Sequence, residues 1–305
     1  MNKCDIIEKF IAVVGKDNIK INEPMKNHTS FKVGGPADIF ITPNDEIQIR
    51  DILRLCRENE CPIFVMGNGT NLVVKDGGIR GVVLKIFDDF SKIYTEGSMI
   101  TAEAGALLSV VSKEALRASL KGMEFASGIP GTVGGAIAMN AGAYNSEIND
   151  VIYSADVIDD DLNIRTLSKE ELQMGYRTSI VSAKGYIAVR AKFALKIGEY
   201  DEIKARMDTL RERRKAKQPL NMPSAGSTFK RPKESFAPKL IEEAGLKGRS
   251  VGGAMVSTMH SGFIVNVGNA TADDILKLID IVEETVYKKF EISLEPEVKV
   301  IGEDL

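Results

Sequence analysis

Apolar residues recur along this chain with two different periods. Ile6, Ile7, Phe10, Ile11 and Val14 fall on one face at helical spacing, which predicts an amphipathic helix over 4–14. After Pro43, residues 44–59 predict a second helix with Ile47, Leu53 and Cys56 turned inward. Residues 107–120 predict a third, with Leu108, Val111, Ala115 and Leu116 on one face. Short apolar runs predict strands at 38–41, 62–66, 72–74, 81–86, 92–95, 99–103, 151–159, 163–167 and 186–196. From Glu199 the texture changes. Residues 201–217 predict a strongly charged helix, and 218–228 a loop holding Pro219 and Pro223. A helix at 238–244, strands near 254–257 and 262–265, a helix at 272–290 and a strand near 297–301 follow. The change places a domain boundary near residue 198, dividing 1–198 from 199–305, with the first part split near residue 80. Interleaved strands and helices favour an α/β or α+β architecture with more than one sheet.

Composition narrows the class. The 305 residues are 44% hydrophobic and 27% charged, which excludes a disordered, collagenous or membrane-spanning chain. Lys+Arg 40 against Asp+Glu 43 leaves −3, so no global basic field points to nucleic acid or an anionic membrane. The absence of Trp and 6% aromatics argue against stacking platforms for single strands. Cys4, Cys56 and Cys61 are too scattered for a disulfide framework, so a reducing compartment is expected. Lys3, Asp5, Glu8 and Lys9 interrupt any apolar run at the start, so no signal peptide is expected. Residues 125–146 and 250–272 carry no formal charge, but both are glycine-rich. Such chain suits backbone brought close to a ligand rather than a membrane span.

Two familiar motifs nearly form. Gly248-Arg249-Ser250-Val251-Gly252 spells G-x-S-x-G, yet a helix end precedes it and an apolar strand follows, the reverse of a nucleophile elbow. Gly67-Asn68-Gly69 opens like a dinucleotide fingerprint, but Leu72 stands where the third glycine belongs. His28 and His260 are isolated, and Cys56 and Cys61 lack a second ligand pair, so no metal site is expected.

Two glycine loops remain. Gly67-Asn68-Gly69-Thr70-Asn71-Leu72 follows a strand. It reads either as a tight turn or as an anion-binding nest of backbone amides, helped by the Thr70 hydroxyl and the Asn71 amide. Gly128-Ile129-Pro130-Gly131-Thr132-Val133-Gly134-Gly135-Ala136 is more specific, because four glycines within eight residues are costly in an ordinary loop. It runs into apolar residues 136–139, a helix start whose free amides suit a pyrophosphate. Two phosphate-cradling loops without a Rossmann turn suggest a dinucleotide in another fold. Seven basic residues between Lys204 and Lys217 read mainly as a solvated helix face, with Ile203, Met207 and Leu210 as its apolar stripe.

Six segments, His28-Thr29-Ser30-Phe31-Lys32-Val33-Gly34-Gly35-Pro36-Ala37, Gly67 to Leu72, Gly128 to Ala143, Tyr176-Arg177-Thr178-Ser179, Ala225 to Pro232 and Leu294 to Val298, stand in this order along the chain. By them the chain resembles the UDP-N-acetylenolpyruvoylglucosamine reductase family, flavoenzymes of bacterial peptidoglycan synthesis. It implies a vanillyl-alcohol-oxidase-type FAD-binding domain of two subdomains, a C-terminal α/β substrate domain, and FAD between them. It also implies non-covalent FAD, NADPH as hydride donor, a UDP-sugar substrate, a cytoplasmic location and a part in cell-wall biogenesis, cell shape and division. Arg231 follows Lys230, and Tyr176 to Val181 runs straight toward the next strand, so the chain is similar to the subtype lacking a tyrosine loop. The family commonly has glycine where Asn145 stands, a position Asn tolerates.

The resemblance implies a set of site residues. FAD contacts fall on Gly67, Asn68, Gly69, Thr70, Asn71, Leu72, Gly128, Gly131, Thr132, Gly134, Gly135, Ala136, Asn140, Gly142 and Ala143. Arg177 would pair with the substrate carboxylate, and Glu297 would donate a hydrogen bond to it as a neutral acid. Ser227 would protonate the substrate carbon, with Lys230 favouring the alkoxide left behind. Lys217, Lys230 and Arg231 would bind the substrate, Lys217 at its phosphate. Two other classes compete. A flavin oxidase of the same fold would often tether FAD to histidine, and His28, the only histidine before residue 198, lies outside the glycine loops. A non-catalytic nucleotide-binding protein would use the basic helix and hold no yellow cofactor.

Overall fold

A computed structural model describes residues 3–305, with side chains from Asp5 onward; Met1, Asn2 and the Cys4 side chain lie outside the described residues. The architecture is α+β. Chain contacts form two compact units, each assembled from separate stretches. The first unit gathers the N-terminal stretch to Lys20, Phe40–Asn68 and Val82–Arg213; the second gathers Ile21–Ile39, Gly69–Gly81 and Arg214–Leu305. The change to the second unit therefore comes inside the helix Tyr200–Lys217, not ahead of it. Its buried Ile203 and Leu210, with the Tyr144 hydroxyl donating to the Leu210 carbonyl at 3.2 Å, commit most of that helix to the first unit.

The first unit is built on a five-stranded antiparallel sheet. Its order is Ile164–Ser168, Ile152–Ile158, Ile187–Ala194, Met99–Glu103 and Ile93–Glu96. Alternation puts Ala155, Val157, Ala191, Phe193, Ile100 and Ala102 into the core, where the helices Leu108–Arg117 and Val133–Ala138 cover them. A further sheet has the order Ile19–Pro24, Pro36–Ile41, Ile79–Lys85, Ile63–Met66, the last two strands parallel. The helix Glu46–Glu58 buries Ile49, Ile52 and Cys56. Ile47, expected inside, is 64% exposed. Ile49, Ile52 and Cys56 share one face at i, i+3 and i+7, and Ile47, two residues before Ile49, lies on the opposite side; Asp45 caps the helix by accepting from the Gln48 amide.

The second unit has its own core. The helix Ala272–Phe290 covers a three-stranded antiparallel sheet of Ser250–Val251, Ala254–Val256 and Ile264–Asn266. Ile275, Leu278, Ile279, Val282 and Val286 form its buried stripe. The helix start is held twice, by a Thr271–Asp274 capping box and by the Asp76 carboxylate, which accepts from the Ala272 and Asp273 amides at 3.0 and 3.1 Å. Lys299–Ile301 runs parallel to Leu72–Val74, so the C-terminal strand closes against the end of the first glycine loop. No described helix is long and apolar enough to cross a membrane.

Candidate active site

The first glycine loop leaves the strand Ile63–Met66 and enters Leu72–Val74. None of the five amides from Gly67 to Asn71 donates to an acceptor among the described residues. Gly69 is buried and the others are half-buried, so this donor row needs a partner that the protein does not supply. The side chains face the protein: Asn68 Nδ2 donates to the Pro130 carbonyl at 2.9 Å, and Asn71 Nδ2 to the Glu297 carbonyl at 3.0 Å. Gly69 has φ +64°, and a Cβ on Gly67 would overlap the Thr132 hydroxyl. The second glycine loop thus abuts the start of the first at Gly67 and Asn68, and a row of unbonded backbone amides such as this one is the donor set an anionic phosphate takes.

The second loop differs from the sequence expectation in detail. Its helix begins at Val133, with Thr132 as N-cap, rather than at Ala136. The first helical amides are already used: Val133 donates to the Ala106 carbonyl and Gly134 to the Ala104 carbonyl, both at 2.8 Å. Gly135 donates to Thr132 Oγ1 at 3.4 Å, and Ala136 to the Thr132 carbonyl. A Cβ on Gly134 would stand 3.1 Å from Ala104 Cβ, so this glycine serves close packing of helix on sheet. The amides of Gly131 and Thr132 have no acceptor among the described residues. Gly128 is exposed.

Beyond the helix, Gly142 and Ala143 pair with Glu147 and Ser146 in a hairpin. Tyr144 and Asn145 at its tip have φ +56° and +63°, the pair of left-handed residues a tight hairpin demands. A Cβ on Gly142 would meet Glu147, so the hairpin itself accounts for that glycine. Asn140 is fully buried. Its Nδ2 donates to the Gly175 carbonyl and its Oδ1 accepts from the Asn149 amide, both at 3.0 Å. Arg177 sits in the tight turn from Gly175 to Thr178 with φ +56°, its guanidinium 5.1 Å from the Tyr176 ring centre.

In the second unit, Ser227 lies between anchored neighbours. Ala225, Thr228 and Phe229 are buried, whereas Ser227 is exposed with no partner among the described residues. Thr228 donates its amide to Gly262, and its Oγ1 accepts from Ile264 at 3.1 Å. The Thr228 carbonyl accepts from the Glu297 amide at 2.7 Å, and Phe229 bridges Pro296. Ser227 and Glu297 are therefore held on neighbouring extended segments joined by a single bridge. The Lys230 ammonium is paired with the Glu295 carboxylate. The Arg231 guanidinium stacks on Phe236, 4.1 Å from the ring centre. Lys217 is exposed at its helix end. Burial, with Lys247 and Lys217 nearby, holds the His260 imidazole below its ordinary range; its Nδ1 accepts from the Gly262 amide at 3.2 Å. His28 is paired with Glu23 at 2.8 Å.

Sequence similarity runs through the whole chain. Residues 37–168 match the FAD binding domain family, and residues 218–301 match the C-terminal domain of UDP-N-acetylenolpyruvoylglucosamine reductase. The reductase of that name from Clostridium novyi is 55% identical over 304 residues, covering 100% of this chain and 99% of the relative. This chain belongs to the UDP-N-acetylenolpyruvoylglucosamine reductase family. The Clostridioides difficile reductase is 52% identical, with 100% of both chains covered. The crystal structure of the Thermus caldophilus reductase superposes with a TM-score of 0.79 at 36% identity, covering 93% of this chain and 98% of that one. A glucose oxidase variant of Phl p 4 gives a TM-score of 0.51 at 14% identity, over 64% of this chain and 44% of that one. That likeness concerns fold alone, the vanillyl-alcohol-oxidase type of FAD-binding domain.

Several site features had no readable sign in the sequence. Nothing near Lys230 marks Glu295 as its partner, because strand pairing brings them together. Phe236 as a shelf for Arg231 is equally silent. Asn140 did leave a trace, an amide directly after an apolar run and just past a helix end, where left-handed angles and buried hydrogen bonds are common.

Proposed function

We propose that this chain reduces UDP-N-acetylglucosamine enolpyruvate to UDP-N-acetylmuramate in peptidoglycan precursor synthesis, with NADPH as hydride donor, and that residues of both units carry the reaction. The observation that supports it most directly is the row of unbonded amides from Gly67 to Asn71, beside those of Gly131 and Thr132. It suits the pyrophosphate of FAD, held without a covalent tether. Leu72, Gly128 and Gly135 lie within a few residues of those amides in sequence. FAD, when bound, supplies a two-electron relay between NADPH and the substrate double bond. FAD is held mainly by residues before the helix Tyr200–Lys217 and the UDP-sugar mainly by residues after it. NADPH and a nucleotide sugar place the reaction in the cytoplasm.

The protein's part is charge and proton control. Hydride added to the CH₂ carbon leaves negative charge on its neighbour, shared with the carboxylate. Arg177 pairs with that carboxylate through two parallel hydrogen bonds and stabilises the enolate-like state. Glu297, in its acid form, donates a further hydrogen bond to the carboxylate. Ser227 delivers the proton to the carbon. Its exposure on an anchored segment leaves the hydroxyl available at no cost to folding. Lys217, Lys230 and Arg231 bind the diphosphate, with Lys230 exchanging Glu295 for the substrate.

The deciding experiment is the absorption spectrum of the purified protein. It should be yellow, bleach with NADPH under anaerobic conditions, and recolour when the enolpyruvyl substrate is added. Colourless protein, or bleached protein that the substrate fails to recolour, overturns the reading.

A further inference from the structure

The turn that carries Arg177 is clamped from one place. Asn140 Nδ2 donates to the carbonyl of Gly175 at its start, and the Ser179 hydroxyl at its end donates to the Ala138 carbonyl, both at 3.0 Å. Both clamps come from the C-terminal end of the helix Val133–Ala138. Between them Gly175 and Thr178 exchange hydrogen bonds at 3.0 and 3.3 Å, and Arg177 is forced to φ +56°. A non-glycine residue held left-handed costs about 1 kcal/mol or more and persists only where its surroundings over-determine it. Asn140 is 0% exposed and itself left-handed at φ +44°, and its Oδ1 is taken by the Asn149 amide.

We infer that Asn140 is a positioning residue for the reaction, which aims the Arg177 guanidinium at the substrate carboxylate by fixing the Gly175 carbonyl. It was expected among the FAD contacts; with its amide bonded to backbone at both ends, it acts on the carboxylate site instead. The inference rests on the proposed role of Arg177.

Asn140→Asp keeps the size and the acceptor for Asn149 but loses the donor to Gly175. FAD content should stay normal. Flavin re-oxidation by the enolpyruvyl substrate should slow ~10-fold or more, since a small misplacement of a clamp is costly. Inhibition by UDP-N-acetylglucosamine, which lacks the carboxylate, should not change. In an Arg177→Lys background the same substitution should add less than ~2-fold, the non-additivity of residues acting through one group. Asn140→Gly, which accepts the left-handed angle and removes the amide, repeats the cycle if the Asp variant does not fold. Normal re-oxidation, or full additivity with Arg177→Lys, overturns the inference. If Arg177→Lys is itself silent, the reading of Arg177 fails instead.

Discussion

The Glu297 amide donates to the Thr228 carbonyl at 2.7 Å. This backbone bond, with the Phe229–Pro296 bridge beside it, sets Ser227 and Glu297 on adjoining segments without the use of either side chain. Asn71 reinforces the arrangement by donating to the Glu297 carbonyl, which links the proposed acid strand to the first glycine loop. Substitutions at Ser227 should therefore test chemistry rather than folding.

Ser227→Ala removes an exposed hydroxyl that bonds to no described residue. Stability and FAD content should match the unaltered protein, and NADPH should bleach the flavin at close to the normal rate. Re-oxidation by the enolpyruvyl substrate should slow by ~10²–10⁴-fold, the usual worth of a positioned acid. Stopped-flow measurement of each half separates the steps. A slowed bleaching step with re-oxidation intact removes Ser227 as the proton donor.

Gly67→Ala tests the cradle. The added methyl overlaps the Thr132 hydroxyl, so the two loops must part where their free amides converge. FAD affinity should fall ~10²-fold or more while the far-ultraviolet circular dichroism stays native. Gly97→Ala is the control: its Cβ meets open space, and its φ of +56° adds a left-handed strain that Gly67→Ala lacks, so flavin retained there isolates the Thr132 contact. Gly134→Val would be a poor test of the phosphate site, since it strikes Ala104 in the packed interior and would bleach the protein by disturbing the fold. Full flavin retention in Gly67→Ala would place the pyrophosphate elsewhere.

Much of the fold is legible because local patterns carry it. The helix Ala272–Phe290 has the bounds its apolar period predicts, with Thr271 in front as a cap. Faces and partners are less legible. The expected inward set is Ile47, Leu53 and Cys56, whereas packing buries Ile49, Ile52 and Cys56 and leaves Ile47 exposed. The glycine-rich run announced close backbone approach but not its target, and Gly134 and Gly142 turn out to approach protein. The discontinuous units depend on long-range contacts, such as the pairing of Lys299–Ile301 with Leu72–Val74, which no local period encodes.

Arg177→Lys keeps the charge and loses the planar fork. Substrate KM should rise and turnover should fall together, because one pair of hydrogen bonds holds both the ground state and the enolate. Each parameter should change by ~10-fold or more, the order expected for losing part of a charge-assisted pair. Steady-state kinetics with the enolpyruvyl substrate decides it, and near-normal values would take Arg177 out of the carboxylate site.

Asp274 gives a stability prediction independent of function. Its carboxylate accepts from the Thr271 amide at 3.0 Å and the Gly253 amide at 3.1 Å. The Thr271 bond first, then the Gly253 bond, outweigh desolvation and hold the carboxyl below its usual range. A group depressed in the folded state stabilises above its unfolded pKa, ~3.9 for Asp, and that stabilisation is lost as pH falls through the folded value. Asp274→Asn should therefore cost about 1 kcal/mol or less at pH 7, since the site is partly solvent-screened. The gap between the two proteins should close toward pH 3. Urea midpoints at both pH values check this. A gap that persists undiminished at the low pH would mean that the carboxylate charge contributes nothing there and that the substitution acts through packing against Gly252 instead.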